Sequence, residues 1–158
     1  MRQYDALVWN EEQIIAFAEI VCSIQREIVD TSQGLATVKQ EVQGSVENVL
    51  YSSFAIIFDE YPADRNNYTD IFDQIADFAT HLAKDHIFPD ANKRTTVLTC
   101  VALLRNNGII LDIEDSANPF DNALYKWIQN IVEGKIERAS LAEQLRSHAH
   151  LLSNEVNY

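Results

Sequence analysis

Apolar residues recur every three or four positions along most of this chain, which is the spacing of amphipathic helices. Ile14, Phe17, Ala18, Val21, Ile24 and Ile28 share one face and predict a first helix from about Asn10 to Val29, capped by Asn10. Asp30–Gly34 reads as a turn. A second helical region covers about Leu35–Phe58, with a break near Gly44–Ser45 left open, and Val46, Val49, Leu50, Phe54 and Ile57 carry its stripe. The pattern lapses over Asp59–Tyr68, where Pro62, Asp64, Asn66 and Asn67 leave little to bury, so an exposed loop or short hairpin is expected. Thr69 then caps a helix to about Lys84 that turns Ile71, Phe72, Ile75, Phe78, Ala79 and Leu82 inward. Another covers about Ala91–Asn106 and stops at Asn107–Gly108. Asn118–Pro119 opens a further helix to about Glu133, and Ser140-Leu-Ala-Glu143 is a capping box for the last. The expected fold is all-α: a bundle of six or seven helices with an exposed flap before the loop that starts at His86.

Composition narrows the class without changing that picture. The 158 residues suit a single domain over 1–158, and 47% apolar content with four glycines and three prolines fits a packed helical core. Cys22 and Cys100 lie far apart in apolar stretches and read as buried free thiols in a reducing compartment. Met1–Asn10 has no apolar core of a secretory signal and no run approaches a membrane span, so a cytoplasmic protein is expected. A net charge of −12 with twelve scattered basic residues counts against direct nucleic-acid binding. Trp9 and Trp127 read as hydrophobic anchors, and His148 and His150 fall in a polar tail.

One stretch carries chemistry: His86-Ile-Phe-Pro-Asp-Ala-Asn-Lys-Arg94. From Val97 to Leu104 every residue but Thr99 is apolar or small, so this helix belongs inside the bundle and its start is anchored. Lys93 and Arg94 fall in its first turn, where cations oppose the helix dipole by about 0.3–1 kcal/mol each. Free N–H groups beside two cations make an anion site, particularly for phosphate. The alternative is that either cation turns away to pair with Asp85 or another acid. Asp90 reads as the N-cap and also brings a carboxylate beside the phosphate site, where Mg²⁺ could bridge it to a nucleotide. His86, held near the same mouth by the Pro89 loop, suits a general base acting on a hydroxyl.

These residues resemble the Fic/Doc signature His-x-Phe-x-Asp/Glu-Ala/Gly-Asn-Lys/Gly-Arg, met at its fixed positions by His86, Phe88, Asp90, Ala91, Asn92, Lys93 and Arg94. Gly44-x-x-Glu47, Glu133-Gly134 and Leu141-Ala-Glu-Gln-Leu145 also look Doc-like, so the resemblance covers most of the chain. AMP-transferring Fic enzymes carry glycine where this chain has Lys93 and a second arginine where it has Val97. The departures resemble the Doc-type toxin kinases, which transfer the γ-phosphate of ATP to a protein Ser/Thr hydroxyl. The family's described target is a threonine of elongation factor Tu, and the result is a block of translation. The resemblance implies His86 as base, Asp90 for Mg²⁺ and phosphate placement, and Asn92, Lys93, Arg94 and the helix N–H groups as the phosphate site. Phe88 and Ala91 are its structural positions. The segment with Tyr61, Pro62, Asn66 and Tyr68 resembles the flap that guides a target peptide. A small antitoxin with a helical segment in a groove is the partner the family implies, since no internal inhibitory Ser/Thr-x-x-x-Glu-Gly/Asn helix is evident.

Three other readings stay open at this point. AMP or other nucleotidyl transfer could use the same motif. A catalytically idle Fic-fold protein could use the groove for binding alone. A metal-dependent hydrolase could draw ligands from His81, Asp85, His86 and Asp90, although His81 shares a polar helix face with Gln74 and Asp77.

Overall fold

Asn10 exchanges two hydrogen bonds with Gln13: its Oδ1 accepts from the Gln13 N–H, and Gln13 Oε1 accepts from the Asn10 N–H, both at 2.9 Å. That reciprocal cap starts helix α1, Glu11–Ser32. Ile14, Phe17, Ala18, Val21 and Cys22 are buried along its inner face. The helix runs through Asp30, where a turn was expected, because no glycine or proline interrupts it before Ser32. The structure, a computed structural model, describes residues 4–32, 40–113 and 122–152.

Helix α2, Gln40–Phe54, passes through Gly44 without a break and ends four residues earlier than its apolar stripe suggests. A side-chain clamp accounts for the early end. Arg65 donates to the carbonyls of Ser52, Ala55 and Glu60, and Asn66 donates to Ser52, so the carbonyls left over at the end of α2 are satisfied from outside. Phe58 and Asp59 then turn the chain with φ of 50° and 63°, bracketed by a bridge between Ile57 and Glu60. Phe58 projects into solvent, 98% exposed.

The expected open loop is in fact this turn followed by a short helix, α3, Pro62–Asn66, with Pro62 at its start. Asn67 ends it in the left-handed conformation. Pro62 and Tyr68 are buried, so only part of the flap is exposed. Tyr68 donates to Asp77, which explains why its ring turns inward.

Helix α4, Ile71–Lys84, is capped by Asp70, whose Oδ1 accepts from the N–H groups of Phe72 and Asp73, and not by Thr69 as expected. Thr69 sits one position earlier and donates to Asp73. The six apolar residues predicted to face inward are all buried. On the polar face His81 is exposed, as expected, but Gln74 and Asp77 are buried: Gln74 bonds Leu7 and Ser53, and Asp77 bonds Tyr68 and Arg138.

Helix α5, Asn92–Asn106, packs against α1, α4 and two later elements: strand β1, Ile109–Leu111, and helix α6, Ala123–Val132. Val97, Cys100, Leu103 and Leu104 are buried, while Leu98 faces out, so the helix is central but not buried all round. Asn122 caps α6 by accepting from Leu124 and Tyr125; Asn118 and Pro119, expected to open a helix here, lie outside the described residues. Helix α7, Arg138–His148, begins two residues before Ser140, with Glu137 at the cap position, so the expected capping box does not form. Strand β2, Ala149–Leu151, pairs antiparallel with β1, placing His150 opposite Ile110 instead of in a free tail.

Trp9 stacks on Phe54 at 4.4 Å, and Trp127 tilts against His148 at 5.1 Å. Arg146 joins α7 to α4 through Asp70 and Asp73. The architecture is all-α apart from the two short strands. No helix among the described residues is long and apolar enough to cross a membrane.

Candidate active site

The loop between α4 and α5 is held in a conformation that L-residues avoid. His86 at φ 52° and Ala91 at φ 66° are both left-handed, each at a cost of about 1–3 kcal/mol. Three sets of contacts impose this geometry. Phe88 is buried and plugs the loop into the core. Asn92 Oδ1 accepts from the Phe88 N–H at 3.0 Å, while its Nδ2 donates to the Phe88 carbonyl at 2.8 Å. Asp90 Oδ1 accepts from the Ala91 N–H at 2.7 Å, and Gln25 of α1 donates to the Asp90 carbonyl. Strain retained under so many restraints is characteristic of functional loops.

The loop walls a cavity of about 450 Å³ whose lining includes His86, Asp90, Ala91, Asn92, Lys93 and Arg94. Tyr125 and Val132 of α6 and Ala83 of α4 add an apolar side. The volume lies within the range of small-molecule sites. The start of α5 opens on it without a side-chain cap, in contrast to α4 and α6, which Asp70 and Asn122 cap. The first backbone bond of α5 is from Thr95 to Ala91, which leaves the N–H groups of Asn92, Lys93 and Arg94 to be satisfied from the cavity or solvent.

Electrostatics add to that polarity. Among the described residues neither Lys93 nor Arg94 makes an ion pair, and Asp85 is engaged by His81 at 3.4 Å. The pairing of Lys93 or Arg94 with Asp85 is therefore not what the fold adopts. Lys93 Nζ lies 5.8 Å from the centre of the Tyr125 ring, which steadies it, and the exposed Glu133 feels its charge without forming an ion pair with it. Two cations outside any ion pair among the described residues, at an uncapped helix start, can bind an oxyanion, and a hydroxyl next to His86 could lose its proton there.

The residues divide clearly. His86, Asp90, Ala91, Asn92, Lys93 and Arg94 come together at one mouth; Phe88 sits behind them in the core. Tyr61, Pro62, Asn66 and Tyr68 do not line the cavity. His81 bonds Asp77 and Asp85, and no group of three His, Cys, Asp or Glu side chains that could hold a metal occurs among the described residues. The ligand set imagined for a hydrolase does not assemble. A Mg²⁺ ion that takes one protein carboxylate and otherwise phosphate and water oxygens fits Asp90, whose Oδ1 accepts from Ala91 and whose Oδ2 makes no hydrogen bond among the described residues.

Sequence reasoning missed Tyr125, Val132 and Gln25. The first two carry no pattern that separates them from ordinary core residues. Gln25 did leave a signal, as a polar residue on the buried stripe between Val21 and Val29.

Residues 16–104 of the chain match the Fic/DOC family, a span that includes the loop and all but the last two residues of the helix it opens. A stretch of 78 residues is 35% identical to the protein kinase doc of Escherichia phage P1. The alignment covers 49% of this chain and 56% of the phage protein, so the chain spans little more than half the length of that relative.

Proposed function

The chain belongs to the Fic/Doc family, and from that premise we propose that it is a Doc-type toxin kinase that transfers the γ-phosphate of ATP to a Ser or Thr hydroxyl of a protein. The observation that carries this reading is the mouth shared by His86, Asp90, the cations Lys93 and Arg94, and the uncapped start of α5. Phosphoryl transfer asks for little covalent help from protein groups and much positioning and charge neutralisation. The grouping of these side chains around one cavity supports that reading.

In the proposed reaction a ring nitrogen of His86 takes the proton of the target hydroxyl. Its oxygen forms a bond to the γ-phosphorus while the bond from that phosphorus to the β–γ bridging oxygen breaks, and ADP leaves with the electron pair. Lys93, Arg94 and the N–H groups of α5 neutralise the phosphoryl oxygens. Asn92 contributes mainly by holding the loop through Phe88, which leaves one amide hydrogen for a phosphate oxygen. Asp90 would hold Mg²⁺, which supplies further charge neutralisation at the phosphates. Lys93 occupies the space a glycine would leave open for a diphosphate, which supports γ-phosphate over AMP transfer.

The target proposed from the family resemblance is elongation factor Tu, and a small antitoxin is the proposed inhibitor. Tyr61, 53% exposed, is the flap residue best presented to an incoming segment. Transfer of γ-labelled phosphate into a protein band, lost with His86→Ala, is the test.

A further inference from the structure

Gln25 is fully buried on α1, one turn from Val21 and one from Val29. Its Nε2 donates to the carbonyl oxygen of Asp90 at 3.3 Å, across 65 residues of sequence. Its Oε1 has no hydrogen-bond partner among the described residues. These facts conflict if Gln25 serves stability alone. A buried acceptor without a partner costs folding free energy, and an apolar side chain of similar volume would continue the stripe of α1 without that cost. Among the described residues, the side-chain bond Gln25 makes goes to the candidate active-site loop.

The bonded carbonyl belongs to the peptide that joins Asp90 to Ala91. Fixing that peptide plane fixes the direction of the Ala91 N–H, which the Asp90 carboxylate accepts at 2.7 Å. It also holds Ala91 left-handed, so that its carbonyl receives the first helical bond of α5, from Thr95 at 2.9 Å. No residue of α1 lines the cavity, so the effect of Gln25 passes through Asp90.

We infer that Gln25 is a positioning residue that locks the Asp90–Ala91 peptide, and thereby aligns the Asp90 carboxylate and the N–H groups of α5 for phosphate binding. The loop-holding half of this inference stands on contacts alone; the phosphate half rests on the ATP reading proposed above.

The test uses the full chain with Gln25→Met and three measurements. The thermal midpoint should be unchanged or higher. Without nucleotide, amide hydrogen exchange at Ala91 and Thr95 should quicken by about tenfold or more. In a calorimetric titration with ATP and Mg²⁺, affinity should fall by about tenfold or more, the usual scale for loss of a supporting contact behind a ligand shell. A clearly lower midpoint would make Gln25 a stability anchor and overturn the inference. Unchanged exchange would overturn it as well. If wild type itself binds no ATP, the proposed function fails, and the exchange result still decides whether Gln25 holds the loop.

Discussion

Asn92 and Phe88 form a closed ring: the amide of one is bonded to both the N–H and the carbonyl of the other, at 3.0 and 2.8 Å. The ring ties the first residue of α5 to the loop before it, so the cavity wall and the helix start move as one body. Asn92→Ala removes both bonds and strands the Phe88 N–H. The expected cost is about 1–3 kcal/mol, read as a lower thermal midpoint. Phosphoryl transfer should drop by about a hundredfold, because a displacement near 1 Å at the reacting groups is enough for that. Transfer at wild-type rate in a folded Asn92→Ala protein would rule out this coupling.

Lys93 sits where a cation disfavours the helix, so its removal should separate stability from binding. Lys93→Ala is expected to leave the thermal midpoint unchanged or slightly raised, by up to about 1 kcal/mol in stability. ATP affinity should weaken about tenfold to a hundredfold, the range for a lost charge-assisted contact. Calorimetry and melting curves on one preparation measure both. A lower midpoint with intact affinity would assign Lys93 to packing against Tyr125.

Stability should depend on pH through Asp77 and His81. Burial pushes the Asp77 carboxyl up, but hydrogen bonds from His81, Tyr68 and Arg138 outweigh it and hold the group at about 2, below its ordinary 3.8. Such a group stabilises fully above 3.8 and loses its contribution as pH falls through about 2. His81 is shifted upward, chiefly by its bond to Asp77, against the opposing effect of burial and with help from Asp85. Its contribution is complete below 6.5 and fades as pH rises through the higher folded value. Melting curves across pH should therefore decline as pH rises through the folded value of His81, above its ordinary 6.5, and His81→Asn should flatten that limb. Tyr68→Phe removes one bond to Asp77 and should move the acid limb to higher pH. Identical profiles for all three proteins would contradict the assignment.

Both cysteines should be inert in the folded protein. Cys100 is 1% exposed and burial pushes its thiol up to about 12; burial is also the main reason the Cys22 thiol is raised. A maleimide at pH 8 should label neither until denaturant is added, as intact mass will record. Rapid labelling of the native protein would show that α1 and α5 open readily.

Helical class and most of the core were legible because burial follows the apolar period, as the inward rows of α1 and α4 demonstrate. What escaped was polar burial and long-range pairing. Gln74 and Asp77 lie on a polar helix face in sequence, yet Leu7, Ser53 and Arg138 from distant segments, with the nearby Tyr68, cover them. The strands β1 and β2 are three residues each and have no period long enough to read. Ser140 carries a capping pattern that goes unused because the chain is already helical at Arg138. Around the candidate site, the residues within the His86–Arg94 run were readable as one cluster because they are contiguous. Tyr125, Val132 and Gln25 were not, since only the packing of α1 and α6 against α5 brings them near.

The most direct test of the central claim is a transfer assay in a bacterial lysate with ATP labelled in parallel at the γ- and α-phosphates, using wild type and His86→Ala. The account predicts a protein band that carries γ label alone and disappears with His86→Ala. Label from the α position would place the chain among the AMP-transferring enzymes, and no label from either, with ATP still bound, would contradict catalysis altogether.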